Sequence, residues 1–408
     1  MARRREGGAT LVLVVVGMVA LIAMAGLALD TAHVLLNKSR LQSALDAAAL
    51  AAAKVLDQTS STANATTAAG SVFTLNLAQY PELQSAVGGG LTLTTEYSST
   101  LNPFSPGTVP AAFVRASITG FTTQMSLIAV LGISSINVAG NAVAGPSPAI
   151  QQACNIVPIM LCGTAAAGAP LYGYAAGAVL GLNKVPASSP TAAELGPGNY
   201  NLISLGSTGA ATVRTNFAGA YAGCGTIGNA MTTEPGVAAG PVTQGVNTRF
   251  NEYAGGLSST DFPPDVINSA AHQTSLTSDG QGNVLQGSIV NPTGSQLTFN
   301  WSNYNALQPS GPYDTQPMPS GIAAFRRREI AVPIGDCSTA VNGRGSVNVL
   351  GFACLFVLQR VDQGGKQVLY AQVLSTCDAG GRPGAGTGPG AVGPHVIELY
   401  KSAGSPDS

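Results

Sequence analysis

The sequence predicts an α+β fold: a long N-terminal helix, then a small β-β-α-β unit, then a loop-rich, mostly-β remainder. Three observations predict it. Gly7 to Leu29 carry no charge, no Pro precedes Pro81, and no Gly falls between Gly26 and Gly70, so nothing interrupts a helix. Apolar and polar residues alternate at 91–97, 111–118 and 136–142, the two-residue period of strands. From Pro146 and Pro148 the chain becomes dense in Gly, Ala, Pro, Ser, Thr and Asn. These signals divide the chain into an anchor helix at 1–58, an α/β unit at 59–148 and a Gly/Pro-rich region at 149–408.

The uncharged run comes first. A helix of about 20 apolar residues spans a hydrocarbon core, and Gly7–Leu29 supplies that length between Glu6 and Asp30. Arg3, Arg4 and Arg5 precede it and predict that the N-terminus stays on the cytoplasmic side. The competing reading is a cleaved secretory signal, since Ala23-Met24-Ala25 has the small-x-small pattern of a cleavage site. Both readings export nearly everything after residue 30.

The helix continues past the membrane. Val34, Leu41, Leu45, Ala48, Ala52 and Val55 recur at helical spacing, while Lys38, Arg40, Asp46, Lys54 and Asp57 largely fill other positions. The polar stretch Thr59–Asn64 reads as its exit. A helix of about 50 residues would be roughly 75 Å long. Its small-residue seam of Ala44, Ala47, Ala48, Ala51 and Ala52 allows close approach of the protein's own domain or of a partner helix.

The segment GGATLVLVVVGMVALIAMAGLALDTAHVLLNKSRLQSALDAAALAAA, residues 7–53, resembles the N-terminal segment of TadE/TadG-like proteins of the Flp, or tight-adherence, pilus system. An apolar run, then Asp30, then Arg40-Leu41-Gln42, then Asp46 before Ala47-Ala48-Ala49-Leu50 carry the resemblance. It implies an inner-membrane protein with a periplasmic domain that takes part in pilus assembly. Prepilins of this system carry a Glu at the fifth position after the cleaved Gly. Here Val12 or Leu13 stands at that position, so the resemblance implies an assembly component rather than a processed pilin. GPGNYNLISLG at 196–206, TTEPGVAAGPVTQGVNTRF at 232–250, RRREIAVPIGDC at 326–337, VLGFACLFVLQ at 349–359 and GPHVIELY at 393–400 also resemble longer TadG-like proteins.

In the exported chain, Phe121–Leu131 reads as a short helix closed by Gly132, between strands at 111–118 and 136–142. Residues 329–334, 347–359 and 368–373 read as strands, 396–400 as an edge strand, 379–394 as a linker and 255–325 as an unusually long loop. Arg326-Arg327-Arg328, the dense basic stretch after the N-terminus, reads as a solvated strand entry, with anionic lipid as the alternative contact.

Chemistry is sparse. His33, His272 and His395 are the only histidines, there is no Cys-x-x-Cys, and no Gly-x-Ser-x-Gly or phosphate-cradling loop occurs. Asp279-Gly280-Gln281-Gly282-Asn283 resembles the start of a calcium loop, but Val290 stands where a Glu is needed, which favours a polar turn. Asp336-Cys337-Ser338-Thr339-Ala340 resembles the metal motif of the von Willebrand-type domain found in some longer TadG proteins, with Ala340 replacing a hydroxyl ligand. No metal or other cofactor is expected.

Cys154, Cys162, Cys224, Cys337, Cys354 and Cys377 are an even set in an exported region. They allow 15 pairings. Cys154 and Cys162, flanking Pro158, are the expected first pair, and Cys354 inside an apolar strand could equally be a buried thiol.

Composition agrees with export. Only 9% of the 408 residues are charged and the net charge is −1, against about 25% charged in ordinary domains. That balance argues against a basic nucleic-acid binder and gives a cytosolic protein little to keep it soluble. With so few titratable groups, the expected role is structural and non-enzymatic, with the membrane and pilus machinery as partners and no small-molecule substrate. An anchored or secreted hydrolase and a surface adhesin with a cleaved signal are the alternatives.

Overall fold

The structure, a computed structural model, describes residues 7–88, 91–148, 150–163, 170–182, 200–236, 238–279, 282–308, 311–316, 322–339, 341–362, 367–383 and 393–401. Arg3, Arg4 and Arg5 lie outside the described residues. The fold is mixed α+β, with strands outnumbering helices after the first long helix. The chain groups into two units, Met1–Gly145 with Ile397–Ser408, and Pro146–Val396. The second unit is therefore inserted in sequence between the third strand of the first unit and its last.

Unit 1 begins with α1 (Gly7–Thr59), an unbroken 53-residue helix, about 80 Å long at 1.5 Å per residue. Two different surfaces share it. From Leu11 to Leu29 the large apolar side chains are exposed, Leu13 at 71% and Leu29 at 63%. From Leu41 onward, Leu41, Ala44, Leu45, Ala48, Ala49, Ala52, Ala53 and Leu56 are all buried. The first surface is exposed along its large side chains; the second is core.

Small residues explain how the second surface packs. The alanine seam rests on α2 (Thr62–Leu77) and on the sheet, in one cluster with Ala65, Ala69, Phe73 and Leu77. Of the seam, Ala44, Ala48 and Ala52 pack on the protein's own unit, while Ala47 and Ala51 are half-buried. The helix α2 was not legible beforehand, because Thr59–Asn64 looked like an exit into loop. Ser61 instead caps α2, its Oγ accepting from the backbone N–H of Asn64. A third helix, α3 (Pro81–Gly88), starts at a proline, which the first helical position tolerates.

The sheet of unit 1 runs β1 (Thr94–Ser98), β2 (Phe113–Gln124), β3 (Ser135–Pro146) and the C-terminal strand Ile397–Tyr400. β2 and β3 form a long antiparallel hairpin, with Gln124 opposite Ser135. The helix expected at Phe121–Leu131 is not there. Phe121 and Thr123 are buried while Thr122 and Gln124 are exposed, so the two-residue period continues through Gln124. Only a single 3-10 turn, Ile128–Leu131, follows, ended by Gly132 at a φ of 90°.

Unit 2 is built on a sheet buried on both faces. Its strands are β4 (Ile150–Cys154), β5 (Leu161–Gly163), β6 (Val179–Leu182), β7 (Cys224–Thr226), β8 (Ala230–Thr232), β9 (Thr277–Ser278), β10 (Val284–Gln286), β11 (Ile289–Val290), β12 (Glu329–Asp336), β13 (Ser346–Val357), β14 (Leu369–Leu374), β15 (Thr376–Asp378), β16 (Gly381–Pro383) and β17 (Gly393–His395). The central order is β5-β12-β13-β14-β6, with β8 also on β13; β5 is parallel to β12 and the others pair antiparallel.

The two faces have different covers. Val332, Leu355, Val357 and Val373 face α4 (Ala210–Ala218) and α5 (Ala239–Asn247) through Phe217 and Val246. Phe356, Tyr370 and Leu374 face Val266, Leu276, Phe299 and Tyr304. The second set belongs to the segment read as a loop. Residues 255–325 are poor in regular structure, yet they supply this cover, including α6 (Trp301–Leu307). A buried central strand reads as a continuous apolar run, which is why β13 was visible in sequence and its cover was not.

The disulfides are Cys154–Cys224, Cys162–Cys337 and Cys354–Cys377. The expected Cys154–Cys162 bridge is overturned. Cys154 sits on β4 directly opposite Cys224 on β7, whereas Cys162 lies on β5 in the central sheet. Cys354 is a bridged residue, not a thiol.

Candidate functional site at the end of the apolar run

The residues singled out on the long helix line up along its inner side, from the end of the exposed run into the core. Asp30 comes first and is 6% exposed. Its Oδ2 accepts from the backbone N–H groups of Leu127 and Ile128 at 2.9 and 2.7 Å, and its Oδ1 from Ser126 at 3.3 Å. Those donors open the 3-10 turn at the tip of the β2–β3 hairpin. Backbone donors at the start of a turn have no partner within it, and a carboxylate bond to such a donor is charge-assisted. Asp30 thus fastens the hairpin tip to the helix.

One helical turn earlier, Gly26 makes room for the same tip. A Cβ there would stand 2.8 Å from the Leu127 Cβ, closer than packed carbons allow. The pair Gly26 and Asp30 therefore acts as a socket, with the glycine admitting Leu127 and the carboxylate holding its backbone.

One turn beyond Asp30, His33 Nε2 lies 2.7 Å from Glu82 on α3, and Asn37 donates to the same carboxylate at 3.0 Å. The Arg40 guanidinium stacks 4.3 Å from the Tyr80 ring centre. Gln42 donates both to Asp46, at 2.9 Å, and to the backbone carbonyl of Asn141 on β3, at 3.0 Å. Asp30, Arg40, Gln42 and Asp46 are thus not one pocket. They are successive ties from α1 to the hairpin tip, to the α2–α3 connection and to β3. His33, Asn37, Glu82 and Gly26 belong to the same series, and no motif in the sequence had marked them.

Unit 2 holds the other concentration of charge. Arg328 is 0% exposed and donates to the carbonyls of Val357, Ile267, His272 and Leu358 at 2.8–3.1 Å. Four rings surround it, those of Phe250, Phe299, Tyr304 and Phe356. Asp265, also 0% exposed, accepts from Tyr304 Oη at 2.6 Å and from the backbone N–H groups of Ile267 and Arg328. Burial pushes the Arg328 guanidinium down to about 10, against the pull of Asp265, so it stays cationic at neutral pH. Burial pushes the Asp265 carboxyl up, against its bonds from Tyr304 and the backbone.

The Arg326–Arg328 stretch is therefore not a solvated patch. Arg326 pairs with Glu329, Arg327 donates to the carbonyls of Pro263 and Ala218, and Arg328 is core. Charge count alone made it look like surface. Its arginines instead satisfy carbonyls in a cover with few regular backbone ladders.

Two other arrangements have the look of chemistry. Ser269, His272 and Asp314 cluster, but Ser269 Oγ and Asp314 both contact His272 Nδ1. A catalytic triad needs the hydroxyl and the carboxylate on opposite ring nitrogens. Both Asp279 oxygens accept from Asn283, through its backbone N–H and its side-chain amide; Gly280 and Gln281 lie outside the described residues. Asp336 accepts from the backbone N–H of Ser338.

Neither the curated proteins nor the solved structures gave a match. The family model described as Flp pilus-assembly TadE/G-like matches residues 7–55. The match covers the exposed apolar run, Asp30 and the Ala-rich core face together, and stops before α2. Over residues 7–55 the long N-terminal helix of this chain is similar to the TadE/G-like, or Tad, family.

Proposed function

We propose that this chain is a membrane-anchored, non-enzymatic assembly component of an Flp-type pilus, and that its bulk lies in the periplasm. The observation that carries the reading is the Tad match at residues 7–55 on a helix whose first half exposes nearly every apolar side chain. Such a surface is costly in water and is what a bilayer accepts. The three arginines before it favour an N-terminus on the cytoplasmic side. Three disulfides favour an oxidising compartment for unit 2.

The role is mechanical. α1 fixes the chain in the inner membrane, and unit 1 is tied to that helix from Asp30 onward. Two charged groups of unit 2, Arg328 and Asp265, are fully buried and so closed to a substrate, which supports a structural role over hydrolysis.

Alkaline extraction of membranes, with protease digestion of spheroplasts, tests the reading. The full-length chain should stay in the inner-membrane pellet and lose its unit 2 to protease from the periplasmic side. Deleting the gene should abolish surface pili, with restoration by the intact chain and not by one whose Val16 and Val19 are replaced by Arg. Recovery of a shortened chain in the outer membrane or medium would replace the assembly reading with a secreted adhesin.

A further inference from the structure

The β2–β3 hairpin tip has an unusual composition for an exported surface. No Asp, Glu, Lys or Arg occurs between Arg115 and Lys184, so the whole tip, residues 124–136, is uncharged. It nevertheless exposes large apolar side chains, Leu127 at 44%, Ile133 at 46% and Ile136 at 40%. Among the described residues of unit 1, these three side chains stay two-fifths exposed or more. The same unit exposes Leu27 at 50% and Leu29 at 63% on α1.

The position of the tip says what covers these residues. Leu127 packs against Gly26 and its backbone is bonded to Asp30. Gly26 lies about 6 Å before Asp30 along the helix axis, inside the uncharged run. A membrane that covers the helix through Leu29 therefore meets the tip at the same depth. Apolar faces at membrane surfaces sink about 5–10 Å into the boundary between headgroups and acyl chains, which matches this offset. The tip also lacks the charges that would resist such burial. Its backbone N–H groups at Ser126, Leu127 and Ile128 are already bonded to Asp30, as a segment entering a water-poor layer requires.

We infer that the tip of the β2–β3 hairpin, with Leu127, Ile133 and Ile136, is a second membrane contact that dips into the periplasmic leaflet of the bilayer crossed by α1. This rests on the membrane-anchor reading above and adds to it. The contact would give unit 1 a fixed height and a fixed rotation about the helix, which a single span does not supply.

The test uses the full chain in vesicles of phosphatidylcholine and phosphatidylglycerol. All six native cysteines are bridged, so one added cysteine takes an environment-sensitive fluorophore. Ile133→Cys and Ile136→Cys report the tip, Val19→Cys reports the middle of the span, and Val109→Cys, 82% exposed and just before the start of β2, reports solvent. Lipids with a nitroxide high on the acyl chain should quench the two tip probes several-fold more than the Val109 probe. Lipids with a deep nitroxide should quench the Val19 probe most. Tip probes that behave like the Val109 probe while the Val19 probe is quenched would overturn the inference and leave the anchor standing. Blue-shifted tip probes without lipid quenching would assign the patch to a protein neighbour instead. An unquenched Val19 probe would remove the anchor itself, and the inference with it.

Discussion

Unit 1 contains no cysteine and buries a helix face made mostly of alanine, whereas unit 2 carries all six cysteines and closes them in three disulfides around a two-faced sheet. Both have few charges to work with. In unit 1, regular secondary structure satisfies most of the backbone, and small side chains let elements approach closely. In unit 2, part of one face of the sheet is covered by residues of the 255–325 segment, where the described ladders are short. Covalent links and buried arginines take over the work that backbone ladders do elsewhere.

The largest effect should come from the bridges. Cys162–Cys337 spans 175 residues, and loop entropy assigns a bridge of that length about 5 kcal/mol. Replacing both cysteines with Ser should lower the melting transition of unit 2 and leave α1 and α2 unchanged, as read by hydrogen exchange. Equal losses in both units would break the contrast drawn here. Next comes Arg328→Met. Removing a buried cation that holds four carbonyls and offsets the buried Asp265 costs about 3–5 kcal/mol, so unit 2 should approach the Cys162/Cys337 double variant in stability.

A smaller effect is expected in unit 1. Asp30→Asn keeps the side-chain shape but removes a charged acceptor, and hydrogen bonds to charged groups contribute about 1.5–3 kcal/mol. Faster amide exchange at Ser126, Leu127 and Ile128, with no change in the buried seam at Ala48, would show that the tie acts locally.

The smallest effect is in the acid range. Burial raises the Asp314 carboxyl, but bonds from Ser269, His272 and Asn268 outweigh it and hold the group below its ordinary 3.8. A carboxyl depressed in the folded state stabilises it above its unfolded value and loses that contribution as pH falls through the folded value. The stability difference between the native chain and Asp314→Asn should be constant above about pH 5 and shrink below 3.8. A difference that grew in acid would reverse the sign assigned to this group.

How much of this was legible in the sequence follows the same division. The helix α1 was visible because 23 uncharged residues and the absence of Pro leave the chain no other option. β12, β13 and β14 were visible because a strand buried on both faces must be apolar along its length. Asp30, Arg40, Gln42 and Asp46 were visible by resemblance, though only the structure shows that the first three tie α1 to the hairpin tip, to Tyr80 and to β3, while Asp46 accepts from Gln42 on the same helix.

What was hidden depends on distant parts of the chain. Nothing near Cys162 indicates Cys337. Nothing in Arg326-Arg327-Arg328 indicates that the third guanidinium meets carbonyls from Ile267 to Leu358. The period at Phe121–Gln124 is hidden in the sequence because the apolar residues around it suit a helix equally well. Ser61 was read as part of an exit because a capping serine and a loop serine look alike until the next helix is placed.

The return of the C-terminal strand to unit 1 sets an order of events during synthesis. β3 ends at Pro146, and the strand beside it, Ile397–Tyr400, is made only after all of unit 2. At about 5–20 residues per second, those roughly 250 residues take on the order of 12–50 s. Through that interval β3 is an edge with unpaired backbone groups, the kind of edge to which another chain can add a strand. The sheet of unit 1 is thus closed by a strand that the ribosome makes only after unit 2.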